Sequence, residues 1–196
     1  YGDGQTGNNV GATPQHTYVQ EGVFTARLTV LDDDGGSGTS TVRITVNNVA
    51  PTVSVTPVNG TVNEGSQVGL TATVTDPGAD TLTYTWDYGD GQNRTGTNLT
   101  SVQHTWVQQG VYTVRLTVND GTASTTQTIT VTVVNVPPTV NAGNDVTIDE
   151  GATVTFAPVI ADPGADTLTY AWNFGDGGTS TDRAPSHRFR QQGSFT

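Results

Sequence analysis

The chain has 196 residues, 18 acidic and 7 basic, for a formal net charge of −11 and a pI near 4.2. Every base is arginine and there is no cysteine. This excludes lysine Schiff-base and Lys–Asn isopeptide chemistry and disulfide stapling, and leaves no basic patch to bind nucleic acid or anionic lipid by counterion release. No apolar run approaches the roughly 18 residues of a membrane span, so this segment is not expected to insert in a membrane, and no signal peptide is visible.

From the start of the chain, Tyr1-Gly2-Asp3-Gly4 is the back of a motif that returns as Trp86-Asp87-Tyr88-Gly89-Asp90-Gly91 and as Trp172-Asn173-Phe174-Gly175-Asp176-Gly177. Tyr1, Tyr88 and Phe174 are 87 and 86 residues apart. In each copy the two glycines allow positive φ and the aspartate between them accepts from backbone amides ahead of it, so a strand runs into a sharp turn. Asp76 through Tyr84 is repeated without change as Asp162 through Tyr170, and His16, His104 and His187 each stand two residues before an aromatic.

Residues 1–49 read as the C-terminal part of one repeat. A turn at Glu21-Gly22 leads to a strand with Phe24, Ala26, Leu28 and Val30 facing in. The loop with Asp32-Asp33-Asp34 and Gly35-Gly36-Ser37-Gly38 then turns the chain into a strand through Val42, Ile44 and Val46. Residues 50–136 form a complete repeat, with strands expected at Thr52–Thr56, Gln67–Thr75, Leu82–Asp87, near Val102–Thr105, Tyr112–Asn119 and Thr126–Val134. Residues 137–196 open a third repeat. The linkers around Pro51 and Pro137-Pro138 are short and proline-bearing, hence stiff.

Only 33% of residues are hydrophobic, but they alternate with Thr, Ser and Asn over many short segments. That pattern implies an all-β fold: tandem immunoglobulin-like sandwiches of 86–87 residues joined as an elongated rod, with Trp86 and Trp172 between the sheets. The phase of the repeats suggests a window on a longer array.

Trp-Asp-Tyr-Gly-Asp-Gly, then His-x-aromatic, then Gly110-Val-Tyr-Thr-Val-Arg-Leu-Thr-Val-Asn-Asp120 resembles the polycystic kidney disease (PKD) domain. Asn173 departs from the usual Asp, and Tyr88 from the usual Phe. The resemblance implies a secreted or cell-surface location and a non-catalytic spacer or binding module. The leading expectation is therefore a structural segment of an extracellular rod, fibre or adhesin stalk that mediates protein–protein or cell-surface interactions. Its partners would be the other repeats of the chain, further copies associating laterally or end to end, and an extracellular glycan or protein. The alternative is an accessory polysaccharide- or protein-substrate-binding module of a secreted hydrolase. Filament formation and adhesion belong with the first.

No cofactor is required by this reading, but calcium suits the acidic loops. Sandwich topology puts the loops of Asp76, Asp80 and Asp120 at the end facing the preceding repeat, and Glu64 and Asp90 at the other. Two joints are thus expected: Asp3, Asp76, Asp80 and Asp120 around Pro51, and Glu64, Asp90, Asp162 and Asp166 around Pro138. Converging oxygen ligands are what Ca²⁺ needs. The competing reading is that these aspartates brace their own turns. The histidines read as loop anchors, and Gly2, Asp3, Gly4, Trp86, Asp87, Gly89, Asp90, Gly91, Trp172, Gly175, Asp176 and Gly177 as the structural motif. Tyr18 and Trp106 read as caps on a core in preference to sugar platforms. Asn59, Asn93 and Asn98 match the N-glycosylation pattern.

Overall fold

The computed structural model describes residues 1–8, 11 and 13–196, and no helix occurs among them. The chain gathers into two compact units. One comprises Tyr1–Asn59, Gly69–His104 and Tyr112–Val131; the other comprises Gly60–Val68, Thr105–Val111 and Thr132–Thr196.

The first unit begins with a hairpin of β1 (Gly22–Leu31) and β2 (Ser37–Val46), antiparallel and in register from Gly22 opposite Val46 to Leu31 opposite Ser37. Phe24 and Ala26 are half-buried, as their alternation predicts. Leu28 and Val30, also expected to face in, are instead 64% and 57% exposed. The reason is that this sheet has only two strands, so alternation defines a face without supplying anything to cover it.

The middle of the chain supplies β3 (Thr52–Val55), β4 (Thr61–Asn63), β5 (Gln67–Thr75), β6 (Thr83–Asp87), β7 (Asn93–Thr97), β8 (Ser101–Thr105), β9 (Gly110–Asn119) and β10 (Ser124–Val134). β3, β5 and β8 make one sheet; β10, β9, β6 and β7 follow in order in the other, with β4 parallel to the last residues of β10. The result is an immunoglobulin-like β-sandwich. Alternation explains its core: Val114, Leu116 and Val118 of β9 are 1%, 0% and 0% exposed, while Arg115 between them points out. Across the ladder Trp86 lies opposite Leu116 and Tyr84 opposite Val118, so the buried faces of β6 and β9 coincide. Leu70 and Val102 of the other sheet are also buried. The Trp86 indole N–H donates to the Leu99 carbonyl (2.9 Å), so its one polar group is satisfied inside the core.

β4 and β7 are absent from the sequence expectations. β7 reads Asn-Arg-Thr-Gly-Thr and has no apolar alternation to betray it. Its backbone ladder to β6 and the Thr85–Thr95 hydroxyl pair (3.1 Å) hold it at the sheet edge.

The second unit contains three short antiparallel pairs. β11 (Thr139–Asn141) pairs with β13 (Val159–Ala161), β12 (Thr153–Thr155) with β16 (Ser186–Arg188), and β14 (Trp172–Asn173) with β15 (Thr179–Ser180). Phe174 is buried at 6%, whereas Trp172 is half-buried, packed on Phe156 (5.0 Å between centroids) with its indole N–H donating to the Asp182 carbonyl (3.0 Å).

Candidate functional site

The Gly-Asp-Gly turns each tie an aspartate to a backbone amide and a histidine. Asp90 Oδ1 accepts from the Gln92 amide (3.0 Å), and its Oδ2 accepts from His104 Nε2 (2.7 Å). Asp3 and Asp176 repeat the pattern with Gln5 and His16, and with Gly178 and His187. Each imidazole lies flat on the aromatic of its own motif, with centroids 4.0 Å from Tyr1, 3.8 Å from Tyr88 and 4.1 Å from Phe174. Burial alone would raise the Asp3 carboxyl, but the Gln5 amide and His16 outweigh it and hold it below its ordinary value. The His187 hydrogen bond, followed by the Gly178 amide, lowers Asp176 likewise.

Gly89 is needed for the same turn: its φ is +80°, and a Cβ there would lie 2.7 Å from the Thr113 carbonyl oxygen. Asp87 accepts from the Gly89 amide (3.0 Å), and Asn173 does the same for Gly175 (3.0 Å), so the Asp-to-Asn departure leaves the turn intact.

Asp3 and Asp90 thus hold their histidines, and the metal-competent group among the described residues consists of Glu64, Asp162 and Asp166.

In the first unit, Asp76, Asp80, Asp120 and Glu21 lie near one another. Burial, then the charges of Glu21 and Asp76, push the Asp80 carboxyl above its ordinary value. Asp120 goes the other way, held down by the Ala123 amide and by Asn48, whose side-chain nitrogen donates to it (2.9 Å). Asp76 Oδ1 caps the Gly78 amide (2.8 Å), while Asp76 Oδ2 and Asp80 Oδ2 are buried without a hydrogen-bond partner. Pro51 of the nearby linker is fully buried.

In the second unit, Glu64, Asp162 and Asp166 each offer a carboxylate oxygen within 4.8 Å of the others. Glu64 is 0% exposed. Its Oε1 accepts from the Val136 amide (2.8 Å), and its Oε2 has no partner; Asp162 Oδ1 accepts from the Gly164 amide (3.0 Å), and its Oδ2 has none. Gly164 packs against the Glu64 carboxylate: a Cβ there would stand 2.7 Å from Glu64 Cδ and displace it. The Asn135 carboxamide oxygen lies 2.9 Å from Glu64 Oε1 and 3.1 Å from Asp166 Oδ2. Turned over, the same group would donate to both. Asn135 and Val136, which lead into Pro137-Pro138 in the linker, are further contributors beyond the acidic residues expected at this joint.

The two acidic loops also share a backbone contact. The Ala79 amide donates to the Val19 carbonyl (2.9 Å) and the Ala165 amide to the Val107 carbonyl (2.7 Å), at equivalent places in the repeat. The potential sugar-stacking aromatics are occupied: Trp106 is 1% exposed, and Tyr18 stacks on Phe24 (4.7 Å) and donates to the Tyr1 carbonyl (3.0 Å). Asn59, Asn93 and Asn98 are all exposed, the last with φ of +57°.

Comparison with known proteins adds the following. Over 134 residues, 64% of the chain, it is 37% identical to Chitinase A of Pseudoalteromonas piscicida, and the match covers 16% of that enzyme. Over 164 residues, 83% of the chain, it is 27% identical to polycystin-1 of Homo sapiens, covering 4% of it. The chain therefore spans a small part of these relatives. Among solved structures, the PKD1 domain of Vibrio anguillarum Epp aligns with 44% of the chain and 96% of that domain, at 28% identity and a TM-score of 0.36. The family model of the PKD domain matches residues 1–46, 48–134 and 135–196, so nearly the whole chain is accounted for, and the protein belongs to the PKD domain family.

Proposed function

We propose that the chain is a non-catalytic segment of a longer extracellular tandem-repeat protein, serving as a spacer or stalk whose repeats are docked to one another, and mediating protein–protein or cell-surface interactions. One observation carries this reading. At both places where the Asp-Pro-Gly-Ala-Asp loop follows a preceding repeat, its alanine amide donates to the carbonyl three residues after the histidine of that repeat, Val19 for Ala79 and Val107 for Ala165. A contact built twice from equivalent atoms indicates a standard joint, as a spacer requires and an enzyme does not. The linkers support it: Pro51 is buried, and the Val136 amide is held by Glu64.

Amide hydrogen exchange of residues 1–196 tests this. Ala79 and Ala165 should exchange far more slowly than the exposed loop residues Asp33 and Asp145. Exchange of both alanines at the rate of those loops would defeat the docked-spacer reading.

The identity to part of a chitinase favours a second reading, an accessory module that holds a polysaccharide for a hydrolase elsewhere in the protein. Retention of the chain on chitin beads, released by soluble chitin oligomers, would select it. Passage through the column without retention favours the spacer.

A further inference from the structure

Among the described residues of the second unit, one carboxylate cluster holds polar atoms that folding alone does not explain. Glu64 sits on the turn after β4 and is wholly buried, yet its Oε2 meets no donor. Asp162 Oδ2, about a hundred residues later in the chain, is likewise buried and without a partner. Glu64, Asp162 and Asp166 each offer one carboxylate oxygen, and the three lie within 4.8 Å of one another. A buried carboxylate facing two partly buried ones without a counter-charge is disfavoured by desolvation and by mutual repulsion.

The Asn135 amide does not resolve this. Even when turned to donate, it reaches Glu64 Oε1 and Asp166 Oδ2, and the two orphan atoms stay orphaned. With a cation bound, the opposite orientation would turn its oxygen toward the cluster as a fourth donor. Gly164 leaves the space beside the Glu64 carboxylate clear of any side chain.

We propose that Glu64, Asp162, Asp166 and Asn135 form a divalent-cation site for Ca²⁺, shared between consecutive repeats, with the glutamate of one completing a site on the loop of the next. All four donors are hard oxygens, with no histidine or thiolate to favour zinc or copper. Four protein oxygens with waters completing six to eight suit Ca²⁺, whose geometry is permissive, better than Mg²⁺, which requires a near-ideal octahedron. The ion ties residues of the complete repeat to the loop that follows it. The joint then stiffens with calcium concentration, which goes beyond the spacer reading and is tested independently of it.

The experiment is calorimetric titration of the intact 196-residue chain, stripped with chelator, with CaCl₂, together with melting curves at each calcium concentration. Binding is expected at or below about 1 mM, as in extracellular calcium modules, with a matching rise in melting temperature. Glu64→Gln and Asp162→Asn should each weaken the binding at least about tenfold, since each removes a ligand charge, whereas Asp33→Asn on the exposed Asp32–Asp34 loop should leave it unchanged. Far-UV circular dichroism establishes that the variants fold, and Asp166→Asn serves as a replacement for any that does not. Absence of both binding heat and a melting shift at about 10 mM calcium overturns the proposal. So does undiminished binding by both Glu64→Gln and Asp162→Asn, because the ion would then lie elsewhere.

Discussion

At the residue scale, the aspartate of each Gly-Asp-Gly turn does two jobs with its two oxygens. One closes the turn through a backbone amide, and the other holds a histidine that is 13, 14 or 11 residues away and stacked on the motif's aromatic. The turn was legible from the residue types, because a glycine–aspartate–glycine run has few backbone solutions. The histidine's partner was not, since nothing in the spacing says which carboxylate it meets. The consequence for pH follows from Asp176, whose carboxyl is held below its ordinary 3.8 by His187 and the Gly178 amide. A carboxyl lowered on folding stabilises the native state above its unfolded value and loses that contribution as pH falls through its folded value. Asp176→Asn should therefore lower the melting temperature at pH 6, with the difference from wild type shrinking progressively below about pH 4. A difference independent of pH between 2 and 7 would mean that the carboxylate charge contributes nothing there.

At the element scale, the sandwich rests on the β6–β9 ladder, where the faces carrying Tyr84, Trp86, Leu116 and Val118 coincide. Trp86 is completely buried and its indole N–H is used, so Trp86→Ala removes a large apolar volume and orphans the Leu99 carbonyl. A loss of about 3–5 kcal/mol is expected in chemical denaturation, enough to unfold many domains of this size. Trp172→Ala should cost markedly less, because the equivalent tryptophan is only half-buried. Equal losses would mean that burial does not govern the motif's contribution. The contrast shows what alternation conveys: it assigns a face to each strand, as for Val114, Leu116 and Val118, but not whether another layer covers that face. Leu28 and Val30 alternate just as well and are exposed. Where alternation is missing, as in β7, a strand formed by backbone pairing alone leaves no mark in the sequence.

At the scale of the whole molecule, a charge of −11 with no lysine makes self-repulsion a general burden on the folded state. Raising NaCl from 0.01 to 0.3 M shortens the screening length from about 30 Å to well under 10 Å, so the melting temperature should rise with added salt. A fall or no change would show that local pairing, such as the His–Asp contacts, dominates over the net field. The amino-acid sequence by itself determined that the chain is all-β, where its Gly-Asp-Gly turns lie, that the strand of Trp86 is central, and that it is built from repeats; Trp172, expected between sheets in the same way, is only half-buried on a two-stranded pair. Those properties follow from side-chain periodicity and backbone permissiveness, which act over a few residues and can be read locally. Repeat topology already put Glu64, Asp162 and Asp166 at one joint; only the tertiary structure decided that Asp90 serves its histidine, that those three carboxylates approach within 4.8 Å, and that Asn135 joins them. Those atoms converge from loops separated by up to about a hundred residues, and their meeting depends on how the strands between them are paired, a property no local pattern encodes.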